Sequence, residues 1–588
     1  MLEAPSLRPL NVASWSVATE HAPSGAIYVT PNLPLPAYPA RLTDRLDDWA
    51  ARCPERILLA ERDPSGQWRR ISYGEFHLES RRVARAIANH HLTPHRPIAI
   101  LSGNSIAHAL LAVGAMYAGI PYAPISPAYS LVSSDLGRLR HIFERLTPGL
   151  VFASDGAEFE RAIREIVPAT TPLVVSKNPP PNRHAESFTG FASAEPIAHP
   201  SSATPETIAK ILFTSGSTGI PKGVITTHRM LSSNQEMLRT VFPFWQEEPP
   251  VICDWLPWHH TFGGSHNFGL VLYNGGTMYI DHGRPMSAAF DESLRNLAEI
   301  APTVYFNVPK GYELLVEHMA ANSAFREHFF SRLQMAFFAA AGLPQHVWDA
   351  FDLLAIDTVG TRIPMLTGLG ATETAPFALC ADKANRHSGV VGLPVPGVEL
   401  KLAPVNGKLE ARVRGPNVTP GFWREEELTR AAFDEEGYYR MGDALRFLDP
   451  ADANRGFVFD GRLAEDFKLS TGTWVSTGPL RAKFLRHSAP WVKDVVIAGE
   501  DRDDVTALIF PDGGSREVFE TLLRDFARQS TGSSNRIARA IILTEAPSLD
   551  GGEITDKGSI NQAAVLRRRA HLVERLYSTP YAPEVIVV

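Results

Sequence analysis

Cysteine is scarce: Cys53, Cys253 and Cys380 are the only three in 588 residues, and they lie far apart. That spacing speaks against a disulfide framework and a zinc knuckle, and a reducing cytoplasm is the expected setting. A basic excess is also missing. With a net charge of -7 there is no polycationic field for nucleic acid or an anionic membrane, so any anion has to be held by a local site. Nor is there a long uninterrupted apolar run. Residues 106–125 are broken by Gly114, Gly119 and Pro121, which favours a buried helix turning into a strand over a membrane span. The amino-terminal MLEAPSLRPLNVASW has an early glutamate and lacks the apolar stretch of a signal peptide, so export is not expected.

What is present is the composition of a globular protein, 44% hydrophobic and 21% charged, in a chain too long for one core. Residues 42–90 carry apolar side chains at helical spacing, and residues 97–103 (PIAILSG) look like a buried strand. Short apolar runs at 149–154 and 172–176 alternate with helical patterns, which predicts a layered, doubly wound α/β first half. Residues 177–206, rich in Pro, Ser and Ala, are expected to be a surface connection. From Lys401, alternating runs such as 409–415 and 455–461 predict antiparallel strands. A small α/β unit follows from about Arg462, with helices at 516–529 and 561–577.

The most informative string is TSGSTGIPKG, residues 214–223. Glycines let backbone N–H groups approach phosphate oxygens, hydroxyls donate further bonds, and Lys222 supplies a compact charge. A flexible Ser/Gly turn is the alternative. A Walker loop needs GK followed by Ser or Thr, whereas Pro221 precedes Lys222 and Gly223 follows it, so the P-loop reading fails.

The string instead resembles the phosphate-binding signature of the adenylate-forming superfamily, which includes acyl-CoA and aryl-CoA synthetases, luciferases and peptide-synthetase adenylation domains. The resemblance implies that Thr214, Ser215, Gly216, Ser217, Thr218, Gly219 and Lys222 cradle the phosphates of ATP. TGLGATETAP at 367–376 resembles the second nucleotide motif, with Leu369 in place of its usual tyrosine. Thr372 would bond the α-phosphate and Glu373 would hold Mg²⁺. FFAAAGLPQ at 337–345 looks like the adenine-stacking strand and loop, with Ala340, Ala341 and Gly342 against the base; Ala340 stands where glycine is common. YYRMGDALRF at 438–447 resembles the ribose-binding motif, whose carboxylate here is Asp443.

DGRLAEDFKLSTG at 460–472 resembles the hinge segment, with Arg462 contacting ribose or phosphate. Its spacing is one residue longer than usual, so the hinge is Ala464, Glu465 or Asp466. Lys468 matches a lysine often found there, or is a solvated surface lysine. Near the end, GGEITDKGSINQ places Lys557 where the family has the catalytic lysine of the adenylation step, although the usual Ser-Gly-Lys string is absent.

DWLPWHHTFGGSHNFG at 254–269 resembles the entrance to the acid pocket, with His260 on a common catalytic-pocket histidine. His259, His260 and His266 lack a carboxylate or cysteine at metal-site spacing, so substrate-facing or structural histidines are expected. Whole strings such as LPWHHTFGG and ITDKGSINQ look like bacterial feruloyl-CoA synthases, a resemblance spanning residues 38–569. It implies a hydroxycinnamate slot lined by Trp258, His260, Phe262, Tyr305, Phe306, Gly368 and Gly370. Plant ligases of this type often have a phenol-binding tyrosine where Phe262 stands, so His266 or Asn267 would have to meet the phenol.

The fold implied is α/β. A large N-terminal domain (1–461) of layered α/β sheets with a small antiparallel barrel-like part binds ATP and acid, and a small mobile C-terminal α+β lid (462–588) carries the lysine. The activity implied is an ATP- and Mg²⁺-dependent acid:CoA ligase, forming acyl-AMP and then a thioester with coenzyme A. Its partners are small molecules, not nucleic acid or membrane, and a homodimer is left open. Alternatives are a ligase for another aryl or medium-chain acid, a free-standing adenylation enzyme loading a carrier-protein thiol, and a non-catalytic nucleotide-binding protein.

Overall fold

The computed structural model describes residues 6–198, 203–214, 220–555 and 558–588. Its first half is built on strands Ile98–Leu101, Tyr122–Ile125, Leu150–Asp155 and Leu173–Lys177, all parallel and hydrogen-bonded side by side. Their apolar runs suit a sheet covered on both faces. Helix Ile106–Ala118 packs on it, started by Ser105, whose side chain accepts from His108 N–H, and stopped at Gly119 with φ 71°. The glycine there tolerates a left-handed backbone that ends the helix, and the chain re-enters the sheet at Tyr122.

The strand Ile208–Thr214 joins this sheet beside Tyr122–Ile125, in register only at Lys210↔Tyr122. Pro124 has no N–H to continue that ladder, and Ile208–Thr214 pairs on its other side with antiparallel Lys222–Thr227. A second layer begins with parallel Val251–Asp254, Thr277–Ile280 and Ile57–Arg62. An eleven-stranded sheet runs from parallel Val304–Asn307, Met335–Phe338 and Met365–Gly370 into the antiparallel strands Phe377–Cys380, Val390–Pro394, Phe457–Arg462, Tyr439–Phe447, Lys408–Arg414 and Glu399–Val405. Helix His228–Val241 lies inside this assembly, with Ser232, Ser233, Asn234, Gln235 and Glu236 all buried.

The large apolar core ends with Phe457, and a separate core begins at Phe467. The latter fills an α+β unit of four strands, Val492–Ala498, Val505–Pro511, Ile537–Ile542 and Val585–Val587, with helices including Thr477–Ser488 and Arg516–Arg528. No helix among the described residues is long and apolar enough to cross a membrane.

Three local expectations need correction. Residues 42–90 are not helical throughout: between helices Leu42–Arg52 and Tyr73–Asn89 lies the hairpin Ile57–Arg62/Trp68–Ser72. Its turn is tied by Asp63, whose carboxylate accepts from Ser65 and Gln67 N–H, a side-chain-to-backbone turn that helical counting overlooks. Ser72 and Glu75 then form a capping box that restarts the helix. Residues 177–206 are not all surface, since the short helix Phe188–Phe191 buries both phenylalanines. The helix expected over 561–577 is two, Gln562–Arg568 and Ala570–Tyr577. They break at Arg569, whose guanidinium is drawn inward by Glu553 at 2.8 Å and by the Glu545 and Ala546 carbonyls.

Candidate active site

The antiparallel pairing Thr214↔Lys222 brackets the loop singled out in the sequence. Ser215, Gly216, Ser217, Thr218 and Gly219 lie outside the described residues. Thr214 sits at the end of its strand, with a buried hydroxyl that has no hydrogen-bond partner among the described residues. Across the site, strand Met365–Gly370 ends in the 3-10 turn Thr372–Thr374. Lys222 Nζ is 3.1 Å from Glu373 Oε1 and lies 4.1 Å over the Phe422 ring. Glu373 is buried, and the Tyr439 hydroxyl also hydrogen-bonds it; burial, with that carboxylate beside it, pushes the phenol's pKa up. Thr372 is half-buried beside it.

The turn is held from below by two amides. Asn234 Nδ2 donates to the Phe377 carbonyl at 2.8 Å, and Asn417 Nδ2 donates to the Thr374 carbonyl at 2.8 Å. Glu373 is thus aimed by fixed backbone rather than by a mobile loop. A buried carboxylate already facing a cation fits a hard divalent ion such as Mg²⁺.

Asp443 and Arg462 are cross-strand partners, with Arg462 Nε 3.4 Å from Asp443 Oδ1. Asp443 is buried, and desolvation raises its carboxyl to about 6 despite Arg462, with Glu465 and Glu373 adding to the rise. The arginine compensates weakly because its side chain is 64% exposed. Ala464 and Glu465 fall in the 3-10 turn Leu463–Glu465. Asp466 accepts from Lys408 Nζ at 2.5 Å on one side and from Thr477 N–H at 2.9 Å on the other, so it bridges the two cores. Lys468 is exposed and lies 5.0 Å over the Trp474 ring.

Strand Met335–Phe338 leads to Ala340, Ala341 and Gly342, all three exposed. Ala340 has φ 74°, a left-handed conformation that explains why glycine would suit this position. Beside this loop, Phe262–Asn267 forms a π-helical stretch, a local irregularity frequent at functional sites. Its carbonyls are engaged from the central core: Lys210 Nζ donates to Gly264 O at 2.8 Å and Gln235 Nε2 to Ser265 O at 2.8 Å. Lys210 is fully buried, and desolvation lowers its pKa to about 7. His260 is half-buried, its ring 4.3 Å from that of His259.

His266 sits within a nest of Phe262, Phe306, Phe337 and Phe377, with ring centroids 5.4, 5.2, 5.8 and 6.2 Å away. Burial lowers the imidazole to about 4, so it is neutral. Phe262 and Phe306, expected to line the acid slot, are therefore brought together.

Tyr305 and Trp258, also expected to line the slot, pack their rings elsewhere among the described residues. Tyr305 points to the opposite face of its strand, packing on Tyr312 and Phe329 at 5.5 and 5.2 Å, because successive strand residues alternate sides. Trp258 packs on His108 and Phe268 at 5.3 and 5.0 Å, apart from the nest. Gly368 and Gly370 are small for a backbone reason: a Cβ there would lie 2.4 Å from the Leu379 carbonyl oxygen and 1.6 Å from that of Pro376.

The C-terminal unit reaches this region through the turn that precedes Lys557, a residue outside the described ones. Asp550 accepts from Ser134 N–H at 2.9 Å and from its hydroxyl at 2.6 Å. A cavity of about 300 Å³ opens there, lined by Arg138, His141, Pro221, Gly552 and Arg567 among others. His141 Nε2 contacts the Pro221 carbonyl at 3.1 Å, so this cavity abuts the end of the phosphate-loop segment.

The family model for AMP-binding enzymes matches residues 46–423, and that for the AMP-binding enzyme C-terminal domain matches residues 466–580. The chain belongs to the AMP-binding enzyme family. A malonate–CoA ligase of Arabidopsis thaliana is 27% identical to this AMP-binding enzyme over 330 residues, 53% of the chain and 52% of that ligase, so the match spans about half the length of that relative. A 3-hydroxybenzoate–CoA ligase of Aromatoleum sp. (strain CIB) is 26% identical over 458 residues, 75% of the chain and 80% of the ligase. The crystal structure of the anthranilate CoA ligase AuaEII in complex with anthranoyl-AMP shares the fold, with a TM-score of 0.74 at 20% identity over 93% of this chain and 99% of that one.

Several residues of the AMP-binding enzyme's site escape a linear reading. Tyr439 lies in a quoted motif, but nothing in its spacing ties it to Glu373. Asn234 and Gln235 are polar residues in the buried helix His228–Val241; the run SSNQE in an otherwise apolar face is the one available signal, since buried amides need partners. Asn417 has no local signal at all.

Proposed function

We propose that this AMP-binding enzyme is an ATP- and Mg²⁺-dependent acid:CoA ligase working in a reducing cytoplasm, and that its acid is ferulate or a related hydroxycinnamate. The observation that carries the ligase reading is the convergence of Lys222, Glu373, Tyr439 and Asp443 from three separate strand ends onto one buried polar cluster. Lys222 would meet phosphate oxygens, Thr372 the α-phosphate, and Asp443 both ribose hydroxyls. Mg²⁺ held at Glu373 would neutralise charge on the leaving diphosphate. The acid's carboxylate is itself the nucleophile, so the protein's work is orientation and charge stabilisation. Lys557, on the lid spanning 462–588, would bridge that carboxylate and the α-phosphate during adenylation.

The feruloyl reading is supported by the motif strings and by a phenylalanine nest suited to a flat conjugated acid. The relatives act on malonate, 3-hydroxybenzoate and anthranilate by their names, so the acid has to be measured. The experiment is CoA-dependent AMP release with ATP and Mg²⁺ across ferulate, p-coumarate, cinnamate, benzoate, octanoate and malonate. Preference for the hydroxycinnamates supports both levels of the proposal, and preference for another acid removes the feruloyl level. Diphosphate release that never consumes CoA overturns the ligase in favour of carrier loading.

A further inference from the structure

His266 is 2% exposed, yet its Nε2 has no hydrogen-bond partner among the described residues. A buried imidazole nitrogen left unpaired is costly unless a ligand completes it. Its other nitrogen is fixed. Asn267 turns its Nδ2 toward Asp254 Oδ2 at 3.0 Å, and a carboxylate oxygen there accepts. That orientation leaves Asn267 Oδ1 as the acceptor facing His266 Nδ1 at 2.8 Å. The proton therefore sits on Nδ1, and Nε2 carries a lone pair. Leu256 N–H donates to Asp254 Oδ1 at 3.2 Å, which anchors the far end of the chain.

Four phenylalanine rings pack around the imidazole, those of Phe262, Phe306, Phe337 and Phe377. These four come from the segments that converge on the nucleotide cluster. Phe337 lies in the strand before Ala340, Phe377 follows the Glu373 turn, and Phe262 follows His260. We infer that His266 Nε2 is a specificity-determining acceptor that selects aryl acids bearing an O–H donor on the end of the ring remote from the carboxylate. The inference rests on the ligase reading for the identity of the acid, and it adds a direction to the hydrogen bond. A hydroxyl satisfies Nε2, whereas a methoxy or hydrogen at the same position leaves it buried and unpaired.

The test uses the whole chain and three acids: 4-hydroxycinnamate, 4-methoxycinnamate and cinnamate. Binding is followed by calorimetry and turnover by AMP release. The unaltered protein is expected to favour the 4-hydroxy acid by about 10- to 100-fold, carried mainly in KM and Kd, as for a site built around a substrate hydroxyl. His266→Phe is expected to abolish that preference, and His266→Gln, which keeps an acceptor, to retain part of it. The ligand comparison in the unaltered protein stands even where His266→Phe does not fold. Equal binding of the three acids overturns the inference, as does a preference that survives His266→Phe. A binding preference without thioester formation from any acid would keep the role of His266 and sink the ligase reading instead.

Discussion

Lys222 and Glu373 form an ion pair of 3.1 Å in the proposed nucleotide site, joining the strand that follows one motif to the turn that carries another. The pair is partly open to solvent, so its worth to stability is about 1 kcal/mol or less. Its consequence is positional. On the proposed reading, this cation and carboxylate would separate onto a phosphate and a metal ion.

Glu373→Gln should therefore leave the unfolding midpoint in urea nearly unchanged while lowering acid-dependent diphosphate release by roughly 10²- to 10³-fold, the scale of losing one charge-stabilising group. Lys222→Ala should act in the same direction, chiefly through weaker ATP binding. Full activity in both variants would show that the pair is only a surface contact.

The glycines of this region divide by what surrounds them. Gly370→Ala places a methyl where the Pro376 carbonyl oxygen already lies, 1.6 Å away, while the same change at Gly342 meets nothing nearer than 3.7 Å. We expect Gly370→Ala to cost about 2 kcal/mol or more and Gly342→Ala to be within about 0.5 kcal/mol of neutral. Chemical denaturation of both variants checks this, and equal stabilities would contradict it.

That contrast also marks how far the sequence could be read. The strings around Lys222, Glu373 and Asp443 are contiguous, so their chemistry is legible without a fold, and the structure brings these three near one another. Gly368, Gly370 and Tyr305 lie in or near equally suggestive strings, yet their side of the strand and the reason for their size depend on which neighbour packs against them. Tyr305 differs from Phe306 by a single step of alternation, and both are buried, so only the packing partners decide which of two cores each side chain joins. The hairpin at 57–72 was hidden because its turn is made by an aspartate side chain rather than by a strong Gly-Asn signal. Asn234 and Asn417 act on the Glu373 turn from well over a hundred and from about forty residues away in the chain, and no local pattern encodes such a contact.

Lys210 offers a test of the core beneath the π-helical stretch. Burial lowers its pKa from 10.5 to about 7. Between pH 7 and 10.5 the unfolded chain holds this proton and the folded one does not, so the lysine's contribution to stability improves as pH rises through that window and worsens as pH falls toward 7. Relative to Lys210→Met, the unaltered protein should gain stability from pH 7 to pH 10. The variant loses the bond to Gly264 O at every pH, so the difference in slope is the diagnostic. Parallel stability curves for the two proteins would mean that Lys210 stays charged when folded.

Asp443 should show the opposite sign for stability and a separate effect on binding. Burial pushes its folded carboxyl up to about 6, against 3.8 for an ordinary aspartate. The folded state holds the extra proton between those values, so this group's contribution to stability falls as pH rises from about 4 to 6 and is flat above. Ribose recognition needs the ionised form as acceptor for two hydroxyls, so AMP affinity should weaken below pH 6, by up to about tenfold per unit once the acid form dominates. Asp443→Asn removes the buried charge; it should bind AMP more weakly at pH 7.5, lose the pH dependence of binding between 5 and 7, and unfold no more easily than the unaltered protein. Calorimetric titration of AMP at pH 5, 6 and 7.5 reads the first two, and chemical denaturation reads the third. Undiminished affinity in the asparagine variant would remove Asp443 from the nucleotide site and leave its burial as a purely structural expense.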